Sequence, residues 1–333
     1  MTTPPFISLP HGVRDILPEE ARIIGAVESG ILSVFERHGF KKVITPLLEY
    51  VDVLSIGMGE NLKDRVLKFI DPSTGRVVAI RPDITPQIAR LVATRMKDYP
   101  LPLKLSYNGN VIRYHEPRDG RKREVLQIGA EHITEAPAPE ADAEMIVTAI
   151  ESLSSIGLKG FKIDIGDVGF LRAILEGLGL TEAERGMVKD AIARKDSSGL
   201  DEIFGLLGKK IGRDAKKTLL ELVSFYGTEE VFEKASAFSK GAAGASLENL
   251  RRVFEIITVR GFKDYVTIDL GEVRGFDYYT GIIFEGFAAG VGKPILSGGR
   301  YDSLFEKYGC GWAATGFAFD VENIALALGR AGL

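Results

Sequence analysis

Apolar and polar residues alternate along two stretches of the chain, residues 103–107 and residues 126–131. Alternation with a period of two is typical of a β-strand that has one apolar and one polar face. Residues 116–121, between the two stretches, include the proline, aspartate and glycine that favour a loop. The pattern therefore predicts two strands joined by a basic loop.

Polar side chains on these two strands are candidates for binding a small charged ligand. Arg113 and His115 fall on the first strand, and Gln127 and Glu131 share one face of the second. A guanidinium suits a phosphate or a carboxylate, whereas an amide or a carboxylate accepts hydrogen bonds from an amine. A hairpin with a solvated, charged tip is the alternative interpretation.

Apolar residues repeat every three to four positions between Pro18 and Gly39, which predicts an amphipathic helix. Glu19 and Glu20 fall in its first turn, where the helix dipole favours negative charge. A second helix is predicted after the segment RPDIT, with Thr85 as its N-cap and a proline at its first position.

The segment before this second helix combines a predicted hairpin with a carboxylate. Residues 66–71 and 77–80 form its two predicted strands, separated by a turn that contains Pro72 and Gly75. Asp83 follows and precedes the helix N-terminus. Its carboxylate either binds a ligand or simply stabilises the turn.

In the second half of the chain, several short segments with sequence patterns typical of helices follow one another. Thr181 and Glu184 have the spacing of a capping box at the start of the first of these helices. Glycine, alanine and serine at residues 241–246 predict a loop. The predicted division is a helical insertion, residues 181–260, inside a discontinuous core formed by residues 1–180 and 261–333.

Bulk composition fits a globular protein and narrows its classes. The 333 residues are 45% hydrophobic and 26% charged, with a net charge of −4. No apolar run approaches the roughly 18 residues of a membrane span, and the N-terminus lacks the pattern of a signal peptide. The single Cys310 excludes an internal disulfide and favours a reducing, cytoplasmic setting. His115 and His132 lack a consistent ligand spacing, so no metal site is predicted.

A third stretch, residues 270–285, has the sequence LGEVRGFDYYTGIIFE, and SGGRYD follows at residues 297–302. Arg274 lies close in sequence to Tyr278 and Tyr279. A cation beside two phenols suits the carboxylate and the ring of an amino acid. A structural hairpin with aromatic packing is the alternative, because tyrosine is common in strands.

Together these stretches resemble the histidyl-tRNA synthetase family of class II aminoacyl-tRNA synthetases. Residues 113–127 are similar to motif 2, RGFDYYTG at residues 274–281 to the histidine-specific segment, and GFAFDVEN at residues 316–323 to motif 3. The motifs occur in the family's order and cover most of the chain, so the match is far more specific than one short motif. The resemblance implies an α+β fold, an antiparallel sheet flanked by helices with an inserted helical subdomain.

The resemblance also implies a histidine-binding site. Its residues in this chain are Asp83, Thr85, Arg113, Gln127, Glu131, Arg274, Tyr278 and Tyr279. Asp83 is one methylene shorter than the family's usual glutamate, and Ile84 narrows the site because the family usually has glycine there. The first helix and the strand after it correspond to motif 1 at a dimer interface, although an ordinary amphipathic helix on its own core explains the same pattern.

The nucleotide side of the implied site departs from the synthetases. Their motif 3 ends in Gly-x-Glu-Arg, whereas this chain has Asp320 at the glycine position and Asn323 at the arginine position. In motif 2, an acid and an arginine are replaced by His115 and Glu116. Loss of a cation and gain of a carboxylate each weaken triphosphate binding. Few residues follow motif 3, so we expect no anticodon-binding domain.

A site that keeps histidine-binding groups and loses ATP-binding groups is similar to that of the synthetase-like regulatory subunits of ATP phosphoribosyltransferase. The resemblance implies a non-catalytic partner of a short catalytic subunit, acting in the first step of histidine biosynthesis. It implies L-histidine as effector, self-association through the motif 1 region, and no cofactor or tRNA. Two alternatives stay open: an enzyme that forms histidyl-adenylate, and a paralogue that binds tRNA without catalysis.

Overall fold

The computed structural model describes residues 8–58, 66–114, 122–238, 240–271 and 279–330. The α-helices in these ranges are α1 (Pro18–Arg37), α2 (Val51–Gly57), α3 (Thr85–Arg95), α4 (Pro139–Ser155), α5 (Val168–Glu176), α6 (Glu182–Ala193), α7 (Ser197–Leu207), α8 (Arg213–Leu222), α9 (Glu230–Lys234), α10 (Gly241–Val259), α11 (Asp302–Lys307) and α12 (Val321–Arg330). The strands are β1 (Lys41–Lys42), β2 (Leu48–Tyr50), β3 (Lys68–Ile70), β4 (Val77–Ile80), β5 (Leu103–Ile112), β6 (Glu124–Thr134), β7 (Phe161–Asp167), β8 (Tyr226–Gly227), β9 (Val266–Asp269), β10 (Ile282–Ala288), β11 (Leu296–Arg300) and β12 (Ala313–Asp320).

Among the described residues, nine strands form the main sheet in the order β1-β5-β6-β12-β11-β10-β7-β9-β8, and β2-β4-β3 form a smaller sheet. Most neighbouring strands are antiparallel, whereas β1 with β5 and β7 with β9 are parallel. The predicted α+β fold is confirmed, with a sheet that is mixed at two pairs. No helix in the described ranges is both long and apolar enough to cross a membrane.

The predicted pair of strands around the basic loop is the antiparallel hairpin of β5 and β6. Leu105 lies opposite Glu131, and Tyr107 lies opposite Gly129. On the other side of β6, Gly316 of β12 pairs with Glu131. Residues that pair directly share one face of the sheet, so these side chains converge on a single surface. The loop residues 115–121, with His115 and Glu116 of the motif 2 comparison, lie outside the described residues.

The other face of the sheet carries the larger apolar core, which includes residues of α1, α4 and α12. Phe35 of α1 meets Phe317 and Phe319 of β12, with ring centroids 5.8 and 6.3 Å apart. Full burial of one such ring stabilises a fold by roughly 1.5–3 kcal/mol. The apolar stripe predicted for α1 therefore holds this helix on the sheet.

The face that carries Glu131 packs against α3 and α11. Ile88 of α3 and Phe305 of α11 belong to a second apolar cluster, together with Leu105 and Tyr107 of β5. These contacts bring residues that are more than 200 positions apart in the chain to the edge of the same surface.

The region predicted to be helical contains α6 to α10. Thr181 and Glu184 form the predicted capping box at the start of α6. One local prediction is wrong: residues 241–246 are the opening turns of α10, because packing of this helix through buried residues such as Leu250 outweighs the weak local preference of the glycines. The division into core and insertion stays a prediction. Leu250 of α10 and Ile268 of β9 belong to one buried cluster.

Candidate ligand site

Glu131 lies at the centre of the candidate site. Strand β6 carries it into a position where only 1% of its surface is exposed. Three hydroxyls donate to its carboxylate: Thr85 to Oε1 over 2.8 Å, Tyr107 to the same oxygen over 3.4 Å, and Tyr301 to Oε2. Because the donors come from three separate parts of the chain, they hold the carboxylate in one orientation.

Two glycines leave the space that these side chains occupy. A Cβ atom on Gly316 would lie 2.6 Å from Cδ of Glu131, and a Cβ on Gly129 would lie 2.7 Å from Cε2 of Tyr107. Separations below 3 Å are not tolerated between such atoms, so any side chain here would displace the group beside it. Gly316 and Gly129 therefore leave the space that the side chains of Glu131 and Tyr107 occupy.

The charge state of Glu131 responds to its surroundings. Burial raises the pKa of Glu131 to about 8, hydrogen bonds from Tyr301 and Thr85 oppose the rise, and the charge of Asp83 adds to it. The carboxyl therefore exchanges its proton near neutral pH. A ligand cation beside it would favour the ionised form.

Asp83 and Arg113 form the second charged part of the site. Nη2 of Arg113 lies 4.0 Å from Oδ1 of Asp83, and its Nε donates to the carbonyl of Pro82 over 2.7 Å. Burial raises the pKa of Asp83, against the charge of Arg113 and the backbone N–H groups of Ile84 and Thr85. The arrangement offers a ligand both a carboxylate and a guanidinium within one short stretch of surface.

The predicted capping role of Thr85 is wrong. Helix α3 begins at Thr85 itself, Ile84 is its N-cap residue, and no side chain caps this end. The Thr85 hydroxyl donates to Glu131 instead. A capping threonine accepts a backbone N–H bond through its hydroxyl oxygen. Thr85 lies inside the helix instead, and its hydroxyl hydrogen donates to the buried carboxylate, which is a strong acceptor.

Gln127 lies on the same face as Glu131, four positions earlier in β6. It is buried, and its Oε1 atom has no hydrogen-bond partner within the described part of the chain. Its neighbours across the sheet are Gly109 of β5 and Asp320 of β12. A buried amide oxygen left unpaired costs about 1–3 kcal/mol, which a hydrogen bond from a ligand would offset.

Of the three predicted ligand-binding residues Arg274, Tyr278 and Tyr279, only Tyr279 lies in the described part of the chain. It packs against Gly299, where a Cβ would lie 2.9 Å from Cδ1 of the tyrosine, and its carbonyl accepts from Nη2 of Arg172 over 3.1 Å. Burial raises the pKa of Tyr279, so its hydroxyl stays protonated and can donate. Arg274 and Tyr278 lie outside the described residues.

Carboxylates occupy the corner where β12 passes into α12. Oδ1 of Asp320 accepts from the backbone N–H of Asn323 over 3.0 Å, and Nδ2 of Asn323 donates to the carbonyl of Pro294 over 2.9 Å. Both side chains are therefore used within the fold. Burial raises the pKa of Asp320.

Glu322 holds the cations nearest to this corner. Its Oε2 lies 2.7 Å from Nη2 of Arg14 and 2.6 Å from Nζ of Lys122. The three residues line a cavity of about 510 Å³ beside the segment that precedes α1. Arg14 also pairs with Glu20, so the two cations face two carboxylates and little positive charge is left for an anionic ligand here.

Sequence inspection missed Tyr107, Tyr301 and Gly316 as parts of the site. Tyr107 was assigned to the apolar face of its strand, and that face turns out to be the one that carries Glu131. Tyr301 belongs to the segment SGGRYD, whose local sequence gives no sign of a contact with Glu131. The available signal is that glycines lie beside large polar residues on neighbouring strands. This signal can be used only when the register of the strands is known.

His132 was considered as a metal ligand and is instead a buried side chain of β6. Its Nδ1 lies 3.4 Å from Oε2 of Glu144, and burial lowers the pKa of His132. Within the described ranges, no group of three or more histidine, cysteine, aspartate or glutamate residues is arranged to hold a metal ion.

The fold and the site together define a class II aminoacyl-tRNA synthetase-like domain. The sequence model of the histidyl-tRNA synthetase family matches residues 12–324. A solved structure titled ATP phosphoribosyltransferase regulatory subunit/histidyl-tRNA synthetase, from Bacillus halodurans C, superimposes with a TM-score of 0.90 at 31% identity, over 98% of this chain and 84% of that one. A histidine–tRNA ligase subunit from Alicyclobacillus acidocaldarius gives a TM-score of 0.79 at 28% identity over the whole of both chains.

Sequence relatives narrow the class to one family. An ATP phosphoribosyltransferase regulatory subunit of Geobacter sulfurreducens is 45% identical over 98% of this chain and 74% of its own length. The same-named protein of Moorella thermoacetica is 40% identical over 97% of this chain and 82% of its own length. The chain therefore belongs to the family of ATP phosphoribosyltransferase regulatory subunits.

Proposed function

We propose that this chain is a non-catalytic subunit that is required by a short catalytic subunit of ATP phosphoribosyltransferase and that senses L-histidine. The partner condenses ATP with phosphoribosyl pyrophosphate in the first step of histidine biosynthesis. The supporting observation is the contrast between the two ends of the site. Glu131 and its hydroxyl donors form a buried polar cluster, whereas Asp320 and Glu322 make the other end unfavourable for a triphosphate.

Histidine is the effector that this pocket would accept. Glu131 would bind the imidazole together with Tyr278 and Tyr279, and Thr85 would hold the Glu131 carboxylate in place. An imidazole N–H or imidazolium beside Glu131 would stabilise its ionised form, which burial otherwise disfavours. The site would therefore bind an imidazole or imidazolium more tightly than an apolar ligand.

The amino group and the carboxylate of histidine would bind to the remaining residues of the site. Asp83 or Gln127 would accept from the ligand amine, since Oε1 of Gln127 is buried without a partner in the described ranges. Arg113 and Arg274 would face the ligand carboxylate. This assignment accounts for an acceptor and a cation on the same surface as Glu131.

Regulation would follow from a population shift. Histidine changes the activity of a complex only if it binds one arrangement of that complex more tightly than another. The same coupling requires that the catalytic subunit change the affinity of this chain for histidine by an equal factor.

The test is the activity of a purified short catalytic subunit, measured with and without this chain and with and without histidine. We expect activity only in the presence of this chain, and a fall in activity when histidine is added. Unchanged activity in both comparisons would overturn the proposed function.

One variant tests the placement of histidine beside Glu131 separately from the activation of the catalytic subunit. Glu131→Ala should raise the histidine concentration needed for half-inhibition while activation by the chain persists. An unchanged inhibition curve would contradict the placement of histidine beside Glu131. Histidine would then act elsewhere in the complex, for example at the interface between the subunits.

A second candidate is formation of histidyl-adenylate. It is favoured by the similarity to the histidine–tRNA ligase subunit over both whole chains and by retention of Arg113. Histidine-dependent exchange of pyrophosphate into ATP measures it directly. Exchange in the isolated chain would show catalysis, and its absence would leave the regulatory role.

Self-association through the motif 1 region is part of the proposal. Ile44, after β1, is 85% exposed, and Leu48 of β2 and Ile70 of β3 are also exposed on the neighbouring small sheet. Grouped exposed apolar side chains are typical of an interface. Ile44→Glu should convert the dimer to a monomer in sedimentation velocity, and a wild-type chain that sediments as a monomer would contradict this part.

A further inference from the structure

Arg81 brings a buried positive charge to the face of the sheet that carries Glu131. Its backbone N–H donates to the carbonyl of Leu47 over 3.0 Å, and its carbonyl accepts from the N–H of Ile112 over 3.0 Å. These bonds fix the backbone of Arg81 between β4 and α3. Only 7% of the residue is exposed. The guanidinium is therefore held inside the protein, where a charge without a partner is costly.

The hydrogen bonds of this guanidinium go to uncharged acceptors. Nε donates to the carbonyl of Asn110 over 2.8 Å, and Nη1 donates to the carbonyl and the hydroxyl of Thr45 over 3.0 Å each. Nη2 takes no part in these three bonds. Within the described ranges, no carboxylate forms an ion pair with Arg81. The positive charge is thus buried without a negative one beside it.

Two other arginines of the core domain show what a counter-charge does. Nη2 of Arg300 lies 3.0 Å from Oδ1 of Asp142, and this carboxylate raises the pKa of Arg300 despite burial. Nη2 of Arg113 lies 4.0 Å from Oδ1 of Asp83. Burial lowers the pKa of Arg81 instead. A bound anion would supply the negative charge that the described neighbours of Arg81 do not provide.

Nη2 of Arg81 lies over Gly109 of β5. A Cβ on Gly109 would lie 3.3 Å from Cζ of Arg81 and closer still to Nη2. Gly109 shares a face with Tyr107 and pairs directly with Gln127 of β6. The side chains of such a pair start roughly 5 Å apart. Nη2 therefore takes the place of a side chain beside Gln127, on the face of the candidate ligand site.

This position brings a donor next to an acceptor. Oε1 of Gln127 is buried and has no hydrogen-bond partner in the part of the chain that the structure describes. The amine and the carboxylate of an α-amino acid are attached to the same carbon atom. A ligand whose amine donates to Gln127 would therefore bring its carboxylate close to Arg81.

We propose that Arg81 binds the carboxylate of the amino-acid ligand through Nη2, an inference that rests on histidine as the effector proposed above. Because Nε and Nη1 are already engaged, Nη2 would add one charge-assisted hydrogen bond. A purely structural role is the alternative. In that role Arg81 only joins Thr45 to Asn110, and its charge is not needed.

Two ligands separate these roles. L-Histidine has the carboxylate, and histamine is the same molecule without it. Isothermal titration calorimetry measures the dissociation constant of L-histidine, and displacement of L-histidine gives that of histamine. Both are measured for this chain alone and for its complex with the catalytic subunit.

Two variants change the guanidinium in different ways. Arg81→Gln removes the charge and keeps an N–H donor for the neighbouring carbonyls. Gly109→Ala keeps the charge and moves Nη2 aside, because a Cβ there would overlap with it. The displaced atom is the end of a flexible side chain, so Gly109→Ala should fold and carries the test even if Arg81→Gln does not.

Matched controls leave Nη2 in place. Thr45→Val removes one acceptor of Arg81 and keeps the carbonyl that accepts from the same nitrogen. Gly25→Ala is the control for Gly109→Ala, since a Cβ on Gly25 would meet no atom within 4 Å. Thermal unfolding shows which of the four variants are folded.

We expect Arg81→Gln and Gly109→Ala to bind L-histidine roughly tenfold more weakly, for the loss of one charge-assisted hydrogen bond, and to bind histamine like wild type. The controls should bind both ligands like wild type. An equal loss for both ligands, or no loss for L-histidine, would overturn the role of Arg81 and leave the proposed function intact. A wild-type chain that binds no histidine, alone or in the complex, would overturn both.

Discussion

The carboxyl group of Glu131 fills the space that a side chain at position 316 would need. Gly316 pairs with Glu131 across β6 and β12, and a Cβ there would lie 2.6 Å from Cδ of the glutamate. The candidate pocket thus depends on a missing side chain almost as much as on the groups that bind. Glu131 cannot move aside without leaving the hydroxyls of Thr85 and Tyr301.

Gly316→Ala should therefore displace Glu131 and weaken histidine binding. We expect a loss of about 1–3 kcal/mol in the free energy of unfolding, as for other overpacked sites. Urea denaturation and calorimetric titration with histidine measure the two effects. Gly292→Ala is the control, because a Cβ there meets no atom within 4 Å. Wild-type affinity in Gly316→Ala would contradict the central place given to Glu131.

The buried carboxyl of Glu131 should make the stability of the ligand-free chain depend on pH. Its pKa is raised from 4.5 to about 8 by burial, so the folded state binds this proton more tightly than the unfolded state. The resulting stabilisation is fully present below about pH 4.5 and is lost as the pH rises through about 8, by at most roughly 1.4 kcal/mol per pH unit.

Glu131→Gln removes this titration and is the comparison that isolates it from other groups. The free energy of unfolding of wild type, relative to that of Glu131→Gln, should fall between pH 5 and pH 8 and level off above. Parallel profiles of the two proteins would show that Glu131 titrates near its ordinary pKa.

A buried ion pair joins the end of β11 to the start of α4. Nε of Arg300 donates to Oδ2 of Asp142 over 3.0 Å, and its Nη1 donates to Asp302 over 3.1 Å. Asp142→Asn should cost about 3–5 kcal/mol, because it leaves a buried guanidinium without its main counter-charge. Asp52→Asn is the control, since its pair with Arg76 is largely exposed and contributes less than about 1 kcal/mol. Similar losses in chemical denaturation would show that burial of Arg300 is not decisive.

Two substitutions at the corner between β12 and α12 should increase its affinity for ATP. Asp320→Gly with Asn323→Arg removes a carboxylate and supplies a guanidinium, so ATP should bind roughly tenfold more tightly than to wild type, for one charge-assisted hydrogen bond. Equilibrium dialysis with labelled ATP measures the gain, and Asp320→Gly alone separates the two contributions. Unchanged ATP affinity in the double variant would mean that this corner is not the nucleotide side of the site.

Local sequence patterns were sufficient for elements whose formation depends on neighbours along the chain. The alternation around residues 103–107 and 126–131 predicted β5 and β6, and the periodic apolar residues after Pro18 predicted α1. The capping box of Thr181 and Glu184 was also predictable, because both of its hydrogen bonds span three residues.

The same local logic failed where a side chain has a distant partner. Thr85 has the position of a helix cap, but its hydroxyl donates to Glu131, which is 46 residues away. Residues 241–246 have the composition of a loop, but they form the first turns of α10. Local propensity is a weak preference, and tertiary contacts override it.

The sequence by itself determined the chemical inventory: a carboxylate, an amide and a cation on one strand pair, and an uncharged Asn323 at the last position of motif 3. Only the tertiary structure decided that Tyr107 and Tyr301 donate to Glu131 and that Gly316 leaves room for it. Tyr301 is 170 residues from Glu131, and its contact depends on the register of β12 against β6 and on the packing of the chain around both strands. Pairings of that kind arise from the packing of whole elements, and no pattern within one stretch of sequence encodes them.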